Sequence, residues 1–154
     1  MNNQTYFLSL VLSFLLLNSC TDKKDLSLHI YDKNGFIKLD GKFRNDQFVD
    51  TIYVYKEKDN DIYNDHFDTF IKIDSSNDRY FYGVEIVQEK NTNKLFSEGL
   101  YRFKKMKDPK KSYESKLKTG YFRFYNIDGS LHSKKLYRIK EDSSYVVEDI
   151  KEDN

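Results

Sequence analysis

Short runs of strand-compatible residues, each closed by turn chemistry, constrain this chain more than any other feature. In Leu26-Ser27-Leu28-His29-Ile30-Tyr31 the apolar Leu26, Leu28 and Ile30 alternate with the residues between them, the period of a strand that buries one face. Thr51-Ile52-Tyr53-Val54-Tyr55 is β-branched or aromatic throughout, which suits a pleated surface. Further strands are predicted over residues 36–39, 41–44, 67–73, 79–88, 95–103, 121–125, 131–139 and 145–147. Asn34-Gly35, Asn45-Asp46, Ser75-Ser76-Asn77-Asp78, residues 89–93 and Asp128-Gly129 separate them with turn sequences. Residues 56–65 read as a polar, acidic loop. Residues 104–118, which hold the only proline, Pro109, read as a long hairpin loop with a helical turn over 112–117. Alanine, the strongest helix former, is absent from the chain, which points the same way. The expected fold is all-β, an antiparallel meander of hairpins.

The hairpins repeat. Tyr31-x-x-x-Gly35 followed by Phe43 has the internal spacing of Tyr125-x-x-x-Gly129 followed by Tyr137. Gly41-Lys42-Phe43-Arg44 parallels Gly99-Leu100-Tyr101-Arg102, and the six residues from Asp50 to Tyr55 parallel those from Gly120 to Tyr125. The physical basis is local: glycine supplies positive φ at turns, and aromatics at fixed offsets stack on one face of successive hairpins. From Gly120 through Asp128-Gly129 to Tyr137 the chain resembles the MORN-repeat-variant family. Units of that family run glycine, aromatic, variable, Tyr-Tyr, an Asp-Gly turn, then a strand ending in Tyr. The match from Gly41 to Tyr55 is partial, because Asp50 stands where glycine is expected and no Asp-Gly follows Tyr55. Residues 60–98 hold no copy. The resemblance implies hairpins lined up in one elongated or curled sheet, and a binding role rather than an enzymatic one, as in the family's antitoxins and membrane-associated scaffolds.

Ahead of the strands, Tyr6 to Leu17 is apolar and uncharged, yet shorter than the ~20 residues that span a bilayer core. It reads as a signal sequence. The run ends at Leu17-Asn18-Ser19-Cys20, followed at once by Thr21-Asp22-Lys23-Lys24-Asp25. This box resembles the lipobox of bacterial lipoproteins, which implies cleavage after Ser19 and lipidation of Cys20. Two or more acyl chains on that cysteine suffice for stable anchoring. The alternative is an uncleaved N-terminal anchor. The expected organisation is a signal peptide over 1–19, a lipidated cysteine and tether over 20–25, one β-rich domain over 26–148, and a fraying acidic tail over 149–154. The expected location is the bacterial cell envelope, on the outer membrane, facing the periplasm or the cell surface. A sole cysteine rules out an internal disulfide and any CxxC site, and a formal net charge of +1 suggests neither a nucleic-acid binder nor an acidic tail protein.

Candidate sites are few. Asp59, Asp61, Asp65 and Asp68 crowd near His66, but Asn64 and Phe70 stand where a calcium loop needs glycine and glutamate, so a solvated loop is expected and no metal or cofactor. Lys104, Lys105, Lys107, Lys110 and Lys111, with Arg102, Lys116 and Lys118, interleave with Tyr101, Phe103 and Tyr113. That composition suits anionic lipid headgroups or an acidic envelope protein, with a solvated loop as the alternative; outside the cytoplasm nucleic acid is not an expected partner. Tyr53 and Tyr55, Tyr80 and Tyr82, and Tyr121 and Tyr125, with Arg123 between the last two, each share one side of a strand. They form either a core ladder or an exposed strip that binds a glycan or a protein. Val54, Phe81 and Phe124 lie on the opposite side and are also apolar. No GxSxG elbow, HExxH pair or glycine-rich phosphate loop occurs, so no enzyme is expected. The expected role is a membrane-anchored binding or scaffold module. An immunity or antitoxin-like protein, and a hydrolase of envelope polymers, are the alternatives.

Overall fold

The structure is a computed structural model that describes residues 25–31, 37–55 and 66–151. The expectations for Leu17, Asn18, Ser19 and Cys20, for the Asn34-Gly35 turn and for the acidic loop 56–65 lie outside the described residues. Nine strands follow one another as β1 (Leu26–Tyr31), β2 (Ile37–Arg44), β3 (Gln47–Val54), β4 (Phe67–Ser76), β5 (Tyr80–Glu89), β6 (Leu95–Lys104), β7 (Leu117–Tyr125), β8 (Leu131–Lys140) and β9 (Ser143–Lys151). A short helix, α1 (Pro109–Glu114), sits between β6 and β7. Every strand pairs antiparallel with its neighbours in sequence, in a single sheet with β1 and β9 at its two edges. This is the all-β antiparallel meander expected from the sequence.

Several boundaries differ from expectation, among them the start of β3 at Gln47, the continuous β2 and the end of β4 at Ser76, and three others have a local reason. Asp108 caps α1 by accepting the N–H groups of Lys110 and Lys111, with Pro109 in the first turn, so the helix forms over 109–114 rather than 112–117. Strand β7 begins at Leu117, because the ladder pairs Leu117 with Arg102 and Lys118 with Tyr101. At the other end β9 runs to Lys151, with Asp149 opposite Lys135 and an ion pair of 3.1 Å between them, so the sheet extends past the expected limit at residue 148.

The core occupies one face of the sheet. Phe43, Phe48, Ile52, Ile71, Phe81, Tyr101, Phe103 and Phe122 are buried there, and Tyr113 of α1 packs on them. Their rings touch in sequence across the strands. Phe43 meets Phe48 edge-on at 5.2 Å, Phe81 stacks on Phe103 at 4.8 Å, Tyr101 meets Phe122 edge-on at 5.2 Å, and Phe122 meets Tyr137 at 5.1 Å. Each such contact contributes about 0.5–1.5 kcal/mol beyond burial. The Met106 N–H donates to the Asp46 carbonyl at 3.0 Å, tying the segment after β6 to the β2–β3 turn and bending the sheet toward its core face.

Glycine makes room for these rings. The Phe122 ring lies against the backbone of Gly99, where any Cβ would collide with it, and Phe48 lies on Gly41 with 3.3 Å to a built Cβ. The repeated Gly-x-aromatic-Arg segments are therefore two copies of one device: a glycine under a ring of the next strand, then an aromatic of its own two residues on. The partner strands match as well. The β6–β7 ladder steps from Gly99–Phe122 to Leu100–Thr119, and the β2–β3 ladder from Asp40–Tyr53 to Lys42–Val49, so each partner strand bulges opposite a glycine. Gly120 has φ +66° in one bulge, and Asp50 has φ +64° in the other. Asp50 thus takes the left-handed conformation that glycine takes in the second copy, one of the few side chains that tolerate it.

Gly99→Ala should lower the unfolding free energy by about 1–3 kcal/mol, since its methyl group displaces the Phe122 ring. A urea titration checks this, and the double variant Gly99→Ala with Phe122→Leu should lose less than the sum of the two single changes.

Candidate binding face

Strand alternation places a second set of side chains on the side away from the core. Following cross-strand partners from β3 to β9 gives the row Tyr53, Phe70, Ile86, Glu98, Arg123, Lys134 and Ile150. Its first part is apolar and its middle is charged. Tyr53 is 51% exposed, with its ring 6.5 Å from that of Phe70. The tyrosines at strand spacing therefore line the outward face, while Val54, Phe81 and Phe124 on the other side belong to the core or pack against it. Tyr53, Tyr55 and Tyr121 are exposed, while Tyr80, Tyr82 and Tyr125 are half-buried.

Around β7 the outward residues interlock. Arg123 Nη1 lies 2.9 Å from Glu98 Oε1, and the Tyr125 hydroxyl donates to the same oxygen at 2.9 Å. Burial, then the hydrogen bond to Glu98, pushes the Tyr125 phenol above its usual pKa. Tyr121 is exposed, and Lys134 Nζ sits 3.8 Å from its ring centroid. Two more cations stack on rings of the same face: the Arg102 guanidinium is 4.3 Å above Tyr80, and Lys72 Nζ is 5.7 Å from Phe70. The structure thus brings Tyr121, Arg123 and Tyr125 together, as their spacing predicts, and adds Glu98, Lys134, Arg102 and Lys72. Glu98 was the legible part of that addition, a carboxylate within an otherwise apolar and aromatic strand segment. The cation over each ring is set by the register, which no single strand displays.

The basic stretch does not form one surface. Lys104 Nζ pairs with Asp142 at 2.7 Å, and its hydrogen bond holds the Asp142 carboxyl below the usual carboxylate range. The Lys104 main chain is used as well, its N–H donating to Ser115 and its carbonyl accepting from the buried Ser112 hydroxyl. Lys105 N–H donates to the Arg79 carbonyl. Lys110 lies 4.0 Å from Glu114 one helical turn away, while Lys107 and Lys111 are exposed. Lys116 and Lys118 lie against core-face rings, the first 4.7 Å from the Tyr113 centroid and the second 4.9 Å from that of Phe122. The expected patch is divided because strand and helix alternation sends its members to different sides.

Among the described residues no group of three His, Cys, Asp or Glu side chains is placed to hold a metal ion, and Asp68 lies 4.0 Å from Lys90. No helix among them is long and apolar enough to cross a membrane. His29 is exposed at a surface strand position, 3.4 Å from Asp40. No protein-family model, curated protein or solved structure matches the chain.

On the core side, burial, and then the charge and hydrogen bond of Glu85, push the Tyr101 phenol far above its ordinary pKa of 10.0. Below the unfolded value both states hold the proton and the stabilisation is complete. Above it only the folded state keeps the proton, so stability falls as pH rises. Urea unfolding of the wild type at about pH 11 should therefore show a loss, relative to pH 9, that exceeds that of Tyr101→Phe by about 1 kcal/mol. Parallel pH profiles for the two proteins would remove Tyr101 as the cause.

Proposed function

We propose that the chain is a bacterial envelope lipoprotein, anchored through Cys20, whose MORN-like hairpins present the outward face of the sheet as a non-enzymatic binding surface. The observation that carries this reading is the row through Tyr53, Phe70 and Ile86. A sheet that buries one face normally turns polar residues to water on the other. Here aromatic and apolar side chains are contiguous on that face and run directly into the Glu98, Arg123 and Lys134 group. Contiguous outward apolar surface rimmed by charge is characteristic of a contact surface. The shared bulge at Asp50 and Gly120 supports the repeat reading, and the box ending at Cys20 supports the anchor. The tether from Cys20 to β1 is short, so the sheet stays close to the bilayer that holds it.

The test uses the full chain. Wild-type protein should fractionate with membranes, resist a salt wash and incorporate labelled palmitate, whereas Cys20→Ser should do none of these. In detergent micelles the wild type should bind washed, delipidated envelope material saturably. Tyr53→Ser combined with Tyr121→Ser should weaken that binding about tenfold or more with an unchanged thermal midpoint, as expected for exposed anchors. Unchanged fractionation of Cys20→Ser contradicts the anchor, and equal binding by the tyrosine variant contradicts the face.

A further inference from the structure

The two edges of the sheet are built differently. Strand β9 meets water with a register shift beside Tyr137 and with Glu148, Asp149 and Lys151 along it. Strand β1 has neither device. From Leu26 to Ile30 it pairs residue for residue with Phe43 to Leu39, and it carries no Lys, Arg, Asp or Glu. No described strand pairs with its other side, so a row of backbone N–H and C=O groups is left open along it.

The side chains of β1 are incompletely covered as well. Leu26, Leu28 and Ile30 share the core side, and Leu28 and Ile30 pack against the core. Leu26 stands opposite the buried Phe43 yet is 58% exposed. On the outward side Tyr31 is 53% exposed. A regular edge with apolar side chains on one face and few charges is a template for another strand.

We propose that the strand it takes is β1 of a second copy, paired antiparallel about a two-fold axis through Leu28, so that two nine-stranded sheets join into one. The residues of β1 select both partner and register. Directly opposed residues of an antiparallel pair share a face, so joining core side to core side requires the axis to pass through a residue and not between two. Through Leu28 the axis sets Leu28 against the partner's Leu28 and the exposed Leu26 against the partner's Ile30. The outward pairs are then Ser27 with the partner's His29 and Asp25 with the partner's Tyr31, polar side chains with no like charges opposed. An axis through Ser27 carries Ile30 and Tyr31 past the start of the partner's strand. One through His29 opposes histidine to histidine and carries Leu26 past the end of it. Each pair off the axis occurs twice, as in any isologous contact. The contact involves neither the row through Tyr53 nor Cys20, so it stands apart from the binding reading above.

The test uses the full chain in detergent micelles held in excess over protein. Sedimentation velocity across a dilution series should show a reversible equilibrium of monomer and dimer. Ser27→Lys combined with His29→Lys, both at exposed positions, sets lysine against lysine twice and should weaken the dimer about tenfold with an unchanged thermal midpoint. Adding an equal amount of chain with Ser27→Glu and His29→Glu should restore a mixed dimer. The register is read in a Cys20→Ser background. There a Ser27→Cys chain mixed with a His29→Cys chain should form at least tenfold more disulfide under mild oxidation than either alone, because only the mixture brings two Cα atoms within reach of a bridge. A wild type that stays monomeric at every concentration, a dimer untouched by the paired lysines, or a lysine chain that the glutamate chain fails to rescue would each overturn the proposal. So would linking of either thiol chain alone as efficient as that of the mixture.

Discussion

An aromatic ring packed against the backbone of a glycine is the contact on which this sheet depends. A single layer of strands has one face on which to bury apolar surface, and the helix α1 lies over part of it. Large rings supply that area only if the strands beneath let them approach. Gly99 under Phe122 and Gly41 under Phe48 do so, while Gly83, where a Cβ would come 2.6 Å from Ile71 Cγ2, makes the same allowance between β4 and β5. The bulges at Asp50 and Gly120 lie on the strands facing two of these glycines, and bulges raise local twist, so the same positions that admit the rings also curve the sheet around them.

Committing Phe43, Phe48, Phe81, Phe103 and Phe122 to one face leaves Tyr53, Tyr121, Tyr125 and most of the paired charges on the other. The outward hydroxyls and guanidinium groups find partners in each other, as Tyr125, Arg123 and Glu98 do around one oxygen. Exposed ion pairs of this kind add little stability, at most about 1 kcal/mol each, so their organisation is a matter of surface chemistry more than of folding. The open edges are protected by different means. Strand β9 carries Tyr145, Val146 and Val147 exposed, but a register shift beside Tyr137 and the charged Glu148, Asp149 and Lys151 make it a poor template for another strand.

Much of this architecture was legible in the residues. The Asp128-Gly129 turn formed as its chemistry requires, with Gly129 at φ +89° and the Ser130 N–H and hydroxyl donating to Asp128. The repeat spacing marked the glycine and aromatic positions, and the alternation of Tyr121, Arg123 and Tyr125 placed them on one face. Illegible were the features created by pairing. Nothing along β6 alone says that Arg102 will cover Tyr80, or along β8 that Lys134 will cover Tyr121, because both depend on register between strands. The lysine-rich segment misled for the same reason: composition grouped residues that the start of β7 and the capped helix send to separate surfaces.

Tyrosine nitration followed by peptide mapping tests the two-faced arrangement most directly. If the rings divide as described, Tyr53, Tyr55 and Tyr121 are modified early, while the buried Tyr101 and Tyr113 resist until the protein unfolds. Early modification of Tyr101 or Tyr113 in the folded protein, or resistance of Tyr53 and Tyr121, would mean that the core lies on the opposite side of the sheet from the one described.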